Sequence, residues 1–298
     1  MSTSEAVLYP AASTEAPSSP GWRLVSHRLF QDKSAVVGLL VVVLFLVVAV
    51  AGPLVVTRDP TRIDTANTFA SPSWEHPLGT DDVGRDEFSR IIYGARLSVI
   101  TAFAVTLIVT TLGLAIGVLA GTYGRWVDMA LMRVSDSVQA LPGLILAIVV
   151  VGLLGRSIWA LILSITLVGW PGYARVVRGM TLGVRELPFV DAARALGASR
   201  PRVMARHIIP NVLGPVAVLS TLSMGRSLLA VSGLSFLGFG VPVGTPEWGA
   251  MLAEGRAFLF SAPQLLFYPG LVITAMALAC NVAGDGLRDL LDPRTRRR

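Results

Sequence analysis

Apolar residues are gathered into five long runs that contain almost no charge. The first run, Ala35–Val56, and the second, Leu97–Gly121, contain no charged residue at all. The longest run is Val138–Gly172, and the last two are Val212–Leu234 and Gln264–Gly284. A helix needs about 20 mostly apolar residues to cross the hydrocarbon core of a bilayer. The pattern therefore predicts an all-α integral membrane protein.

The longest run is predicted to form a helical hairpin. As a single helix of about 35 residues it would extend about 52 Å, which is too long for one crossing. Gly155, Arg156 and Ser157 interrupt the run and would form the turn between two short spans. The count then rises to six transmembrane helices. Pro171 and Gly172, near the end of the fourth helix, are predicted to kink or unwind it, and this bend would be either static or a gating hinge.

The distribution of basic residues sets the orientation. With six crossings and both termini in the cytoplasm, 17 Lys and Arg residues lie in cytoplasmic segments and seven in outer segments. This distribution follows the positive-inside rule, whereas five crossings would place the basic 175–206 segment outside. A cleaved signal peptide is the alternative for the first run, but a polar segment of 34 residues precedes it. The most N-terminal residues, 1–22, are predicted to be a disordered cytoplasmic tail because Ser, Thr, Ala and Pro dominate them.

Composition supports the membrane assignment. Hydrophobic residues make up 53% of the 298 residues and charged residues only 15%, against about 25% charged in ordinary soluble domains. The net charge of +6 could attract nucleic acid or an anionic membrane face, and the hydrophobicity favours the membrane. Cys280 is the single cysteine, so it cannot form an internal disulfide, and its apolar surroundings indicate a buried thiol.

No catalytic or metal-binding pattern is found in the sequence. The only lysine, Lys33, precedes Ser34 but follows Asp32 where a phosphate-binding loop requires glycine. The three histidines are far apart in sequence, and no spacing typical of metal ligands or of a nucleophile with its base occurs. The six apolar cores contain no Asp, Glu or His, which argues against a proton-coupled carrier. The chain is therefore predicted to be non-catalytic, so any work it does must be powered by a partner.

The segment of about residues 185–211 carries ordered helix signals in addition to its arginines. Pro188 suits the first turn of a helix, and Gly197 suits its end. Ser199 can cap a second helix, which Pro210 is predicted to end before the fifth span. The sequence thus predicts two short helices joined by a Gly-Ala-Ser turn. Because the first of them has small side chains, it is interpreted as a docking element, whereas a merely basic inner loop would explain only the arginines.

This segment resembles a known motif. Asp191, Ala192, Ala193 and Gly197, followed by Ile209-Pro210, are similar to the EAA loop of permease subunits of binding-protein-dependent ABC importers, with aspartate in place of the usual glutamate. Further segments resemble the dipeptide and oligopeptide permeases, in particular the C-type subunit. They are His76–Asp86, Ser89–Arg90, Gly94–Ser98, Leu234–Gly240, Pro246–Leu252 and Gly284–Pro293.

The resemblance implies a type I (MetI-like) ABC importer permease fold in the inner or plasma membrane. It implies a homologous B-type permease, two cytoplasmic ATPases that bind ATP and Mg²⁺, and an extracytoplasmic binding protein that delivers a peptide. No cofactor would be bound by this chain itself. Residues 23–94 would form the first span with an extracytoplasmic segment, and residues 95–293 a five-helix permease domain. The coupling loop would comprise Asp191, Ala192, Ala193, Leu196, Gly197, His207 and Pro210.

Several other residues leave alternatives open. Arg226, near the middle of the fifth span, would contact either a substrate carboxylate in the translocation path or a structural partner. Gly113, Gly117 and Gly121 would pack against either the partner permease or a helix of the same chain. Two glutamates before the last span would be either solvated or in contact with the binding protein; they are Glu247 and Glu254.

Rival functions remain at this point. The same machinery could carry nickel, glutathione or another peptide-like solute, since family members share these motifs. A self-contained secondary carrier or channel would transport without an ATPase. A membrane anchor would recruit cytoplasmic proteins through the Asp191 loop without transporting anything.

Overall fold

The computed structural model describes residues 33–56 and 58–291, and the predicted tail of residues 1–22 lies outside them. The only β-type pairing in this described part is an isolated bridge between Thr80 and Asp86. Within the described residues, ten α-helices follow one another: α1 Lys33–Val55, α2 Glu87–Tyr123, α3 Arg125–Gln139, α4 Gly143–Leu154, α5 Ile158–Arg185, α6 Pro188–Ala195, α7 Arg200–Val203, α8 Ile209–Leu234, α9 Trp248–Gly255 and α10 Gln264–Leu291.

The helices provide the predicted number of membrane crossings. In the part of the chain that the structure describes, five stretches are long and apolar enough to span a bilayer: Lys33–Gly52, Glu87–Tyr123, Ile158–Arg185, Arg200–Phe239 and Gln264–Asp289. Helices α3 and α4, bent by 84° at the break between them, pass the same test as a pair, and the count is six when this pair is taken as one broken span. The prediction of an all-α membrane protein with six spans is confirmed.

Two spans are longer than their apolar runs suggested. Helix α2 begins at Glu87, ten residues before Leu97, because Asp86 caps it by accepting a hydrogen bond from the Ser89 N–H at 2.8 Å. Helix α5 runs to Arg185 and continues through Pro171. Of the two outcomes expected at Pro171 and Gly172, unwinding is therefore wrong, and a kink stays a prediction. A proline inside a helix removes one backbone hydrogen bond, and the neighbouring turns remain helical here.

The hairpin turn is confirmed, but α4, the helix that precedes it, begins later than the predicted start at Val138. Gly155 has a φ of +83° and ends α4, and the Ser157 hydroxyl caps α5 by accepting from the Ala160 N–H at 3.1 Å. The chain bends before Gly143, where Pro142 occupies the N-cap position of α4. Helix α4 has only 12 residues, or about 18 Å, and Val138 belongs to the preceding helix α3.

The glycines of α2 pack against α5 within the same chain. A Cβ atom at Gly117 would lie 2.6 Å from the Ala174 carbonyl oxygen, and one at Gly121 would lie 2.5 Å from Thr181 Cγ2. At Gly113 the nearest atom would be Tyr173 Cβ, at 2.4 Å. These approaches are possible only without a side chain, as in other small-residue helix contacts in membranes. Of the two alternatives, packing within the subunit is the one observed.

Candidate functional site

The predicted helix–turn–helix of the basic segment is present. Pro188 lies in the first turn of α6, and Leu187 before it has an extended backbone. Gly197 has a φ of +85°, which is the left-handed conformation that ends helices. Ser199 occupies the N-cap position of α7 with Pro201 in the first turn, although its side chain makes no capping hydrogen bond.

Pro210 does not end the second helix, contrary to the prediction. After α7 the backbone forms a π-helical turn, Met204–Ile208, and continues directly into α8. The Ile209 N–H bonds to the Met204 carbonyl, five residues back. Pro210 lies in the first turn of α8. In a regular helix the proline ring clashes with the carbonyl group four residues back, and the wider π turn relieves this clash.

Helix α6 is exposed along most of its surface but anchored at one residue. Leu196 is 89% exposed, whereas Val190 is completely buried. Val190 belongs to a cluster that joins α2, α5, α7 and α8, called here the loop-side cluster. Its members are Val118, Val177, Val190, Val203, Ile208, Val212 and Val216. The helix is thus fixed to three membrane-spanning segments while the rest of it faces outward.

The other predicted loop residues lie around this exposed helix. Asp191 and Ala192 are exposed and Ala193 is half-buried. The Arg194 guanidinium donates to Asp191 Oδ1 at 3.2 Å. The ring of His207, on the π turn, lies 6.0 Å from that of Phe189. The fold therefore brings the predicted coupling residues together on α6 and the start of the helix that becomes the fifth span.

A separate groove opens between the middle parts of α2, α5 and α8, and is called here the apolar groove. It has a volume of about 490 Å³. Its walls are mostly aliphatic and include Val105, Val109, Val168 and Leu219. Gly172 also lines the groove, and no neighbouring atom lies within 4 Å of where its Cβ would be.

The polar residues of the apolar groove are few. Tyr173 Oη donates to Ser223 Oγ at 2.8 Å, and Thr106 Oγ1 donates to Ser227 Oγ at 2.9 Å. Arg226 also lines the groove and is exposed. Among the described residues it has neither an ion-pair partner nor a hydrogen-bond acceptor. A lone arginine at the centre of a membrane costs about 2.5–3.5 kcal/mol and indicates a functional site.

The two glutamates before the last span are neither solvated nor free. Glu247 is 1% exposed and caps α9 by accepting from the N–H groups of Gly249 and Ala250 at 3.0 and 2.8 Å. Its Oε1 also accepts from the Ser98 hydroxyl at 3.1 Å. Burial raises the pKa of the Glu247 carboxyl, although these donors oppose the shift. Neither alternative predicted for this residue is correct.

Glu254 belongs to a buried ionic network that the sequence analysis did not identify. Its Oε2 accepts from Arg85 at 2.9 Å and from Arg90 at 2.7 Å. Both arginines also pair with Asp81, and Glu254 Oε1 accepts from the Gly244 N–H at 2.7 Å. The alternation of acidic and basic residues over 81–90 is the one sequence signal that could have indicated it. The network fastens the segment between α1 and α2 to α9.

Within 33–56 and 58–291, no group of three His, Cys, Asp or Glu residues could hold a metal ion. The features that can act mechanically are the exposed helix α6, anchored by Val190, and the apolar groove with Arg226.

Comparison with known families gives two matches that together cover most of the chain. Residues 113–297 match the family described as "Binding-protein-dependent transport system inner membrane component". Residues 21–72 match the "N-terminal TM domain of oligopeptide transport permease C". The second match corresponds to the first predicted span and part of the segment that follows it.

Curated relatives are similar over nearly their whole length. The dipeptide transport system permease protein DppC of Alkalihalophilus pseudofirmus is 40% identical over 92% of this chain and 90% of its own. The nickel transport system permease protein NikC of Escherichia coli K12 is 40% identical over 86% of this chain and 92% of its own. The glutathione transport system permease protein GsiD of Pectobacterium atrosepticum is 36% identical over 92% of this chain and 91% of its own.

A solved structure supports the fold. A chain of the MetNI methionine ABC transporter, in an inward-facing conformation, superposes with a TM-score of 0.56. It is 16% identical, and the match covers 68% of this chain and 97% of that one. The predicted MetI-like fold is confirmed. The chain belongs to the inner-membrane component family of binding-protein-dependent transport systems and is a non-catalytic permease subunit of an ABC importer of the peptide, nickel and glutathione type.

Proposed function

We propose that this subunit forms half of a translocation path for di- or oligopeptides and couples to cytoplasmic ATPases through α6. The peptide cargo is supported by the match to the oligopeptide permease C model and by the DppC relative. Glutathione or nickel is the alternative cargo, because GsiD and NikC have similar identities. The apolar groove, with Arg226 in its lining, would form this subunit's side of the path.

The burial of Val190 is the observation that carries the coupling role. A docking helix transmits motion only if it is fixed to the elements that must move. Val190 has no exposed surface and packs within the loop-side cluster, while Asp191 on the same helix and Leu196 directly after its end are exposed. A push on α6 would therefore be passed to α2, α5 and α8. Coupling would also involve Ala192, Ala193, Gly197, His207 and Pro210, which lie on or beside this helix.

The partners follow from the class of transporter. A homologous B-type permease would complete the path, and two ATPases, which bind ATP and Mg²⁺, would receive α6 and its counterpart. An extracytoplasmic binding protein would deliver the solute to the opposite face. Both termini would be cytoplasmic, and the chain would divide into residues 23–94 and a five-helix permease domain of residues 95–293. Pro171 and Gly172 would act as a hinge where α5 borders the apolar groove.

Site-specific photocross-linking tests the coupling role. A photoreactive side chain at position 196 is expected to form adducts with the co-expressed ATPase. The matched control places the same group at Trp74, which is 103% exposed in the segment between α1 and α2, where no ATPase adduct is expected. ATPase adducts from position 74, or none from position 196 in a complex that still transports dialanine, would contradict the proposal.

A further inference from the structure

The lining of the apolar groove has an unusual charge composition. Of the residues that line it, only Arg226 is charged; the others are aliphatic, small, or hydroxyl-bearing, such as Tyr173 and Ser223. Within residues 33–56 and 58–291, no Asp, Glu, His, Cys or Met lines it. A solute that passed along this surface would therefore meet one fixed positive charge, a few hydroxyl groups, and no negative charge from the described part of this chain.

Arg226 is available to bind a ligand. In the part of the chain that the structure describes, no carboxylate pairs with it and no carbonyl or hydroxyl accepts its hydrogens. The neighbouring hydroxyls have their own partners, since Ser223 is bonded to Tyr173 and Ser227 to Thr106. An arginine in apolar surroundings whose five N–H donors are all unused strongly favours binding of an anionic hydrogen-bond acceptor.

The chemistry of the lining discriminates between classes of cargo. Pores that conduct cations present carboxylates, whereas pores that conduct anions present Arg or Lys. Divalent nickel prefers imidazole and other nitrogen or sulfur ligands, and none lines this groove. A carboxylate, by contrast, matches the planar guanidinium with two parallel hydrogen bonds. The attraction is also stronger between apolar walls than in water.

We propose that Arg226 is a specificity-determining residue of the path, which recognises a carboxylate of the passing solute and disfavours free divalent cations. This inference rests on the proposed function, because it assumes that the apolar groove borders the path. It adds the chemical feature by which the cargo is selected: a carboxylate group, such as the C-terminus of a peptide.

A pair of solutes that differ only in this group provides the test. Uptake of dialanine and of dialanine amide is measured with the complete reconstituted complex and the same binding protein throughout. The quantity compared is the ratio of the two rates, so any preference of the binding protein is common to all variants. Arg226→Gln is expected to lower the acid-to-amide ratio about tenfold or more, because a charge-assisted hydrogen bond is lost. Arg226→Lys should retain most of the ratio.

The control is Arg156→Gln, which removes an exposed arginine in the hairpin turn and should leave the ratio unchanged. An unchanged ratio in Arg226→Gln would overturn the inference. So would equal loss of both rates together with loss of the copurified partner permease, since Arg226 would then be a structural contact. Uptake of free Ni²⁺ by the wild-type complex as fast as dialanine would also overturn it.

The two proposals fail in different ways. If the wild-type complex transports neither dialanine nor its amide, the peptide part of the proposed function is wrong. Glutathione, which has two carboxylates, then becomes the probe, and Arg226→Gln is expected to slow its uptake about tenfold. Absence of uptake for every carboxylate solute would overturn the inference as well.

Discussion

Arg90 Nη2 donates to Glu254 Oε2 at 2.7 Å, although 164 residues separate them in the chain. Arg90 is 1% exposed and lies in the first turn of α2, whereas Glu254 lies on α9. The pair therefore ties the start of the second span to the segment before the last one. A buried charge left without its partner is more costly than the pair itself is stabilising.

Removing the carboxylate of this pair is expected to destabilise the protein. Glu254→Ala would leave Arg85 and Arg90 with Asp81 as their remaining strong acceptor, and we expect a loss of about 3 kcal/mol. Thermal unfolding in detergent measures it. The control is Glu75→Ala, because Glu75 is 80% exposed and 3.8 Å from Arg58, and surface pairs contribute less than about 1 kcal/mol. Equal losses in the two variants would contradict the role of the network.

The capping carboxyl of Glu247 should make stability depend on pH. Burial raises its pKa above the ordinary value of 4.5, so the folded protein binds its proton more tightly than the unfolded chain does. Its contribution is therefore fully present below pH 4.5 and decreases as the pH rises through the folded-state pKa. We expect the unfolding temperature of Glu247→Gln to fall less than that of the wild type as the pH is raised above 4.5. A parallel pH dependence in both proteins would contradict this.

The same residue should also matter for capping. Glu247→Ala removes the acceptor for the Gly249 and Ala250 N–H groups, and losing a helix cap costs about 1–2 kcal/mol. Thermal unfolding below pH 4.5, where the contribution from protonation of the carboxyl is fully present and no longer changes with pH, measures this loss. A variant as stable as the wild type would show that water replaces the carboxyl at this helix end.

The glycines of α2 should not tolerate even a methyl group. Gly117→Ala would place a Cβ 2.6 Å from the Ala174 carbonyl and 2.9 Å from the Arg178 nitrogen, so α2 and α5 would have to separate. We expect a loss of about 1–3 kcal/mol, as for overpacked cores. Gly179→Ala is the control, because no atom lies within 4 Å of its Cβ position, and it should stabilise α5 by up to about 1 kcal/mol. A Gly117→Ala protein as stable as Gly179→Ala would refute the packing argument.

Local signals in the sequence were sufficient wherever a few neighbouring residues decide the structure. Gly155 and Ser157 define the hairpin turn because a left-handed glycine and a capping hydroxyl act within one helical turn. The same holds for Pro188 and Gly197 at the two ends of α6. These predictions needed no knowledge of the rest of the chain.

Long-range contacts account for most of what the sequence analysis missed. Glu247 accepts a hydrogen bond from a hydroxyl 149 residues away in the chain. Glu254 pairs with arginines that are 164 and 169 residues away. The spacing of apolar residues along the chain could not reveal contacts between such distant residues. Pro210 was expected to stop a helix, but Ile208 and Val212 on either side of it are buried in the loop-side cluster. Burial of these two side chains favours a continuous helix, and the π turn accommodates the proline. Tertiary packing thus outweighs a local rule.

At Gly197 the effect of backbone strain can be measured separately from the effect of contact with a partner. Its φ is +85°, but nothing in this chain lies within 4 Å of its Cβ position. Alanine and tryptophan at this position should therefore destabilise the isolated chain equally, by about 1 kcal/mol, since only the left-handed conformation is penalised. Asparagine tolerates that conformation and should cost less. If α6 docks in a groove of the ATPase, transport-coupled ATP hydrolysis should fall steeply from Gly197→Asn to Gly197→Trp, because the larger side chain occupies space that the partner needs. Stability and coupling that decline in parallel across the three variants would mean that strain in the chain, rather than contact with the ATPase, explains the requirement for glycine.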